Sequence, residues 1–120
     1  MAGKFEPKVP VNLDPPKHDP ITLEDLSQAN GTEGRKAYVA IKGKVYDVTG
    51  NKMYQEGGSY HVFAGKDASR ALAKTSTKPE DVQPEWRDLD DKEKDVLNGW
   101  VTFFSKRYNV VGLVQGATNT

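Results

Sequence analysis

Two tyrosines, a histidine and a pair of adjacent glycines fall together in Tyr54-Gln-Glu-Gly-Gly-Ser-Tyr-His61. A phenol oxygen can donate a hydrogen bond or, once deprotonated, bind a metal, and imidazole is the commonest metal-binding side chain. Gly57-Gly58 lets the backbone take positive φ or approach a flat ligand closely. The wider stretch from Met53 to Asp67 adds a Phe63-Ala-Gly65 step and leads toward a helix-prone run, so it reads as a binding loop. Extended alternation would point Tyr60 and His61 in opposite directions, and at most one of them then faces a given site. Each also has an ordinary role open to it. Tyr60 fits as an aromatic at a loop-to-helix junction, Tyr54 as core, and Asp67 as a helix-start residue rather than an acid catalyst.

Composition narrows the chemistry. A chain of 120 residues, 36% hydrophobic and 28% charged, implies one small domain with a modest core, to whose stability a bound cofactor would contribute appreciably. Seventeen basic and seventeen acidic residues cancel, leaving no net attraction for nucleic acid or an anionic surface. The absence of cysteine excludes disulfides, thiolate zinc sites and a thiolate-bound heme, so any metal must use His, Tyr or a carboxylate. No flavin or nicotinamide motif is present, and the chain is not expected to be an enzyme. No apolar run resembles a signal peptide or membrane span, so the chain as given is expected to be soluble.

The elements that must position the loop can be read in order. Met1 to Pro20 holds five prolines and is expected to be an extended, flexible arm in which His18 does nothing specific. Thr22 can cap a helix over Leu23 to Ala29, which Asn30-Gly31 stops. Tyr38-Val-Ala-Ile41 and Val45-Tyr-Asp-Val48 flank Lys42-Gly43-Lys44 as a hairpin. A helix is expected over Lys66 to Thr75, with breaks at Pro79 and Pro84. The longest helix spans Asp90 to Arg107, acidic at its start and basic at its end. Leu97, Trp100, Phe104 and Tyr108 recur along it at intervals of three and four, which makes one face core. Val110 to Val114 forms a last strand, and residues 115–120 read as a disordered tail. The domain proper therefore runs from 21 to 114.

The runs Val39-Ala-Ile-Lys-Gly-Lys-Val-Tyr-Asp-Val-Thr49, Gly57-Gly58-Ser59-Tyr60, Phe63-Ala-Gly-Lys-Asp-Ala-Ser-Arg-Ala-Leu72 and Tyr108-Asn-Val-Val-Gly112 stand in an order that resembles the membrane-associated progesterone receptor family. That family includes a yeast damage-response heme protein. The resemblance covers roughly residues 21 to 114 and implies an α+β, cytochrome b5-like heme/steroid-binding fold, a small mixed sheet with short helices forming the heme pocket.

Cytochrome b5 itself holds iron between two histidines, the first in a His-Pro-Gly-Gly loop. Here Gln55-Glu56-Gly57-Gly58 stands in that place, so the ligand is missing and bis-histidine electron transfer is disfavoured. By resemblance the iron falls to Tyr60, with Tyr54, Gly57, Gly58, Lys106, Arg107 and Tyr108 around the heme. The family often has Phe-Tyr-Gly-Pro before the glycines and a proline before the ligand. Met53-Tyr54-Gln55-Glu56 and Ser59 depart from that pattern, which implies a less rigid loop. Phenolate, a hard anion, favours ferric iron and a low potential. Ferric, five-coordinate heme b is therefore the expected cofactor.

The function the resemblance implies is a heme-binding regulator that supports sterol biosynthesis by contacting heme-thiolate sterol monooxygenases at the endoplasmic reticulum membrane. A steroid ligand and a heme-mediated homodimer are further implied. The competing classes are a heme-independent steroid- or protein-binding module and an electron-transfer hemoprotein.

Overall fold

A computed structural model describes residues 13–120. Its centre is a five-stranded mixed sheet in the order β1-β5-β3-β2-β4. The strands are β1 (Pro20–Ile21), β2 (Tyr38–Ile41), β3 (Lys44–Asp47), β4 (Lys66–Asp67) and β5 (Asn109–Val114), and the helices are α1 (Leu23–Gln28), α2 (Ser69–Ala73) and α3 (Asp91–Ser105). The expected hairpin forms with Val39 opposite Tyr46 and Ile41 opposite Lys44. Lys42 and Gly43 both take positive φ, as a two-residue turn with the twist of its strands requires.

Alternation along β2 and β3 divides the core into two layers. Val39, Ile41, Tyr46 and Val48 face a larger cluster with Tyr54, Phe63, Leu72, Leu97 and Phe104. Ala40 and Val45 face a smaller one with Leu26, against which Ile21, Tyr38, Val111 and Val114 pack. The larger layer carries the helices α2 and α3 and the tyrosine loop. The α+β class expected from the sequence, a small mixed sheet with short helices, is the class observed.

Two helix boundaries follow side-chain caps. The Thr22 hydroxyl accepts from the Asp25 amide at 3.0 Å and opens α1. Asp90 accepts from the Glu93 amide at 2.8 Å and opens α3, whose Leu97 and Phe104 are fully buried as the spacing predicts. Trp100 is only partly buried, on the margin of the cluster. The basic residues expected at the end of α3 fall just beyond it, with Lys106 as its C-cap.

Three expectations are corrected. The helix placed over Lys66 to Thr75 starts only at Ser69, because Lys66–Asp67 pairs in parallel with Val39 and Ala40 as β4. Asp67 is consequently not an exposed first-turn charge. It is buried, and its carboxylate accepts from the Ser69 amide and hydroxyl, the Gly43 amide and the Asn119 side chain. Part of the proline-rich arm is fixed to the sheet: the Lys17 amide donates to Val110 at 3.0 Å, and Pro20–Ile21 pairs in parallel with Leu113 and Val114. The rest of the arm, 1–12, lies outside the described residues. Finally, the tail 115–120 is not loose. Asn119 is 4% exposed, its amide donating to Asp67 and to the Pro84 carbonyl while its own carbonyl accepts from Trp86. These attachments use individual polar groups and leave no hydrophobic periodicity to read.

Candidate functional site: a tyrosine cluster on the larger layer

Asn51 starts the loop by accepting from the Met53 amide at 3.0 Å, which winds Lys52–Tyr54 into a 3-10 turn and drives Tyr54 into the core. The chain then doubles back. The Gly58 amide donates to Gln55 at 2.9 Å and the Tyr60 amide to the Met53 carbonyl at 2.8 Å. The two glycines serve different ends. Gly57 sits at φ +87 in open space, whereas a Cβ on Gly58 would lie 2.2 Å from the Met53 oxygen. Positive φ forces the first and close packing of backbone on backbone the second.

That fold brings Tyr54, Tyr60 and Tyr108 together. The Tyr54 ring centroid lies 5.7 Å from Tyr60 and 6.4 Å from Tyr108, the latter edge-on. Phe104 forms the floor, 6.2 Å from Tyr54 and 5.0 Å from Tyr108. Tyr60 is half-buried and lies nearly parallel to Phe63 at 5.7 Å. The Tyr108 hydroxyl accepts from the Asn51 amide at 2.8 Å, so one residue both starts the loop and ties it to the end of α3. Burial raises the Tyr54 phenol well above its ordinary range, and the neighbouring Tyr108 and Tyr60 phenols add to the rise. Tyr54 is thus held as a neutral hydrogen-bond donor, while Tyr60 reaches the surface.

Beside the tyrosines, Trp100 and Phe103 extend a partly buried apolar face from α3, their rings 5.6 Å apart. The Arg107 guanidinium lies 3.8 Å over the Phe103 ring, in cation–π contact, at the rim of that face. Lys106 is its neighbour at the C-cap. His61 takes another direction: its Nε2 lies 2.9 Å from the Asn30 carbonyl, which ties the imidazole to the neighbouring loop.

Sequence reasoning missed Asn51, whose capping residue type ahead of the turn was the available signal, and Phe103, which completes an i, i+3 pair with Trp100. Among the described residues no group of three His, Asp or Glu side chains could hold a metal ion. An iron here would have to bring most of its own ligands. A partly buried phenol in a cluster of aromatic rings, with the Arg107 cation beside Phe103, has the donor and the charge to meet a porphyrin carrying acidic substituents.

Comparison with known proteins agrees with this geometry. Residues 22–112 match the family described as cytochrome b5-like heme/steroid binding domain. A protein of Arabidopsis thaliana named "Probable steroid-binding protein 3" is 56% identical over 96 residues, covering 78% of this chain and 96% of its own. The cytochrome P450 regulator dap1 of Schizosaccharomyces pombe is 40% identical over 115 residues, 89% of this chain and 66% of that protein. Human membrane-associated progesterone receptor component 2 is 35% identical over 92% of this chain, which spans 52% of that relative's length. A solved structure from Arabidopsis thaliana, described as having a cytochrome b5 like fold, superposes with a TM-score of 0.73 at 52% identity, over 81% of this chain and 91% of that one. Among the described residues no helix is long and apolar enough to cross a membrane. With sequence matched over residues 22–112 and a matched fold, this chain belongs to the cytochrome b5-like heme/steroid binding family.

Proposed function

We propose that the protein is a heme-binding regulatory protein whose heme iron is held by the Tyr60 phenolate. The observation that carries this reading is the division of labour within the tyrosine cluster. Tyr60 and Tyr108 are both partly buried beside the buried Tyr54, but the Tyr108 hydroxyl is held by Asn51 at the end of α3, whereas Tyr60 is presented by the glycine loop. Bound heme supplies a ferric centre that a hard anionic oxygen favours. The residues of the chain do the rest. Gly57 and Gly58 fold the loop that presents Tyr60, and Trp100 and Phe103 offer an apolar face. Tyr54 or Tyr108 is the hydrogen-bond donor to the phenolate, and Lys106 and Arg107 meet the acidic substituents. No histidine stands where cytochrome b5 places its first ligand, and the second candidate, His61, is engaged with Asn30. Five-coordinate ferric heme b is therefore favoured over an electron-transfer centre.

The regulatory part of the reading draws on the dap1 relative, named for regulating cytochrome P450. By that likeness the partners are heme-thiolate sterol monooxygenases, contacted at the endoplasmic reticulum membrane, with a steroid as a further ligand. Titration of the apo-protein with hemin, followed by absorption, tests the reading. A high-spin spectrum with phenolate-to-iron charge-transfer bands is expected. A low-spin bis-histidine spectrum overturns the ligand assignment, and no binding leaves the heme-independent steroid-binding module as the better description.

A further inference from the structure

On the side of the sheet edge formed by β4, remote from the tyrosines, lies a cavity of about 370 Å³ that shares no lining residue with the Tyr54, Tyr60 and Tyr108 cluster. The volume of this partly open cleft falls within the roughly 300–1,000 Å³ of small-molecule pockets.

Three features make it a built site. First, α1 presents Leu23 and Leu26 to the cavity, one turn apart on the same helix face. Leu26 is fully buried, while Leu23 is 65% exposed, the most exposed large hydrophobic among the described residues. A ligand in the cavity would cover it.

Second, the cavity has a roof fastened at two points. The Gln115 amide donates to the Ile21 carbonyl at 2.8 Å at one end. At the other, Asn119 is locked by Asp67 at 3.0 Å, the Pro84 carbonyl at 2.9 Å and the Trp86 indole at 2.7 Å. Between these anchors residues 116–118 line the cavity. A buried carboxylate and a buried amide are thereby devoted to holding down a segment whose own side chains are small.

Third, the buried polar lining is already paired within the protein, while the charged Lys66 stands at the exposed margin of the cavity. Each Asp67 carboxylate oxygen already accepts two hydrogen bonds, so the cavity does not call for a cation. The Asn119 amide hydrogens are committed to Asp67 and Pro84, which leaves Gln115 and Thr118 as the roof residues able to donate to a ligand carbonyl.

We infer that this cavity is the steroid-class site: it takes a flat, mainly apolar, neutral molecule with a carbonyl or hydroxyl at one end, while heme occupies the tyrosine face. The two ligands bind together and do not compete. The inference rests on the reading that the chain binds both classes, and its test separates the two.

Isotope-labelled protein is titrated first with progesterone and then with hemin while backbone amide resonances are followed. Progesterone is expected to shift the amides of Lys66, Ala117 and Asn119 and to leave those of Tyr60 and Tyr108 in place, whereas hemin does the reverse. Leu23→Asp, a change at an exposed position, is expected to weaken progesterone about tenfold and leave hemin affinity unchanged. Progesterone shifts centred on Tyr60 and Tyr108, absence of any shift, or a Leu23→Asp variant of undiminished progesterone affinity overturns the assignment. Failure of hemin alone to shift Tyr60 overturns the heme reading and leaves the cavity site standing.

Discussion

Tyr54 and Tyr60 sit 5.7 Å apart, centroid to centroid, with their planes tilted by 44°, and they differ in burial: Tyr54 is 2% exposed, whereas Tyr60 opens to the surface. Under the proposed reading, two chemically identical groups have separate work. Replacing Tyr60 by Phe keeps the stack on Phe63 and deletes only the oxygen. Hemin affinity is expected to fall severely and the charge-transfer bands to vanish, while His61→Ala leaves the spectrum nearly intact. Equal losses in both variants, read by absorption titration, would sink the Tyr60 assignment.

The residues around the ligand are expected to matter less. Tyr54→Phe and Tyr108→Phe should weaken heme by about 10–100-fold, the usual scale for groups that support a metal ligand through hydrogen bonds. Asn51→Ala removes the donor to the Tyr108 hydroxyl and should reproduce part of the Tyr108→Phe loss. Unchanged hemin dissociation constants for all three would return these residues to a purely structural role.

The adjacent glycines should respond unequally to alanine. At Gly57 only the positive φ is penalised, at about 1–2 kcal/mol. At Gly58 the new Cβ meets backbone at 2.2 Å and the loop must open, so a cost on the order of 3 kcal/mol is expected, with loss of heme binding. Urea unfolding of the two apo-variants gives the comparison, and equal midpoints contradict it.

Alkaline pH should expose the buried phenols. Burial raises the folded-state pKa of both Tyr46 and Tyr54, so the folded protein keeps protons that the unfolded chain releases near pH 10. Their contribution is fully present below that unfolded value and is lost as pH climbs from it toward the raised folded values. Urea midpoints should therefore decline above about pH 10, and less steeply in Tyr54→Phe. Identical slopes in wild type and variant would place the alkaline loss elsewhere.

If Tyr60 holds heme from one side and nothing covers the other, a flat apolar surface faces water and favours a second copy of the holo-protein. Sedimentation should show apo-protein monomeric and heme-loaded protein dimerising as concentration rises. A holo-protein that remains monomeric at high concentration rules out the stacked homodimer.

Much of this arrangement is legible in the residues, for physical reasons that also mark where legibility stops. The β2–β3 hairpin announces itself through two short β-prone runs on either side of a glycine-containing turn, and α3 through Leu97 and Phe104 on one stripe. Tyr54, Tyr60 and Tyr108 can be grouped through resemblance, but their contact depends on Asn51 reaching across to the end of α3, a long-range bond with no local pattern. Asp67 illustrates the limit. An acid ahead of a helix satisfies every helix-start rule, and here the same residue is a buried hub because a two-residue strand and a tail amide come to it from distant parts of the chain. The roof over the cavity is hidden for the same reason, since small polar residues pinned by individual hydrogen bonds have no hydrophobic period.

The parallel pairing of Pro20–Ile21 with Leu113 and Val114 joins the two ends of the domain and has a consequence for how the chain reaches its final form. The β2–β3 hairpin can close early on local contacts, whereas this pairing must enclose nearly the whole sequence and meets a large loop-closure cost. Tyr108 precedes β5 directly, so it joins Tyr54 and Tyr60 only when β5 docks on β3. Partly folded chains therefore hold Tyr54 and Tyr60 without Tyr108. If heme engages all three as proposed, it draws the population toward chains that have completed their last closure, and hydrogen exchange in β5 should then slow more on loading than in the hairpin.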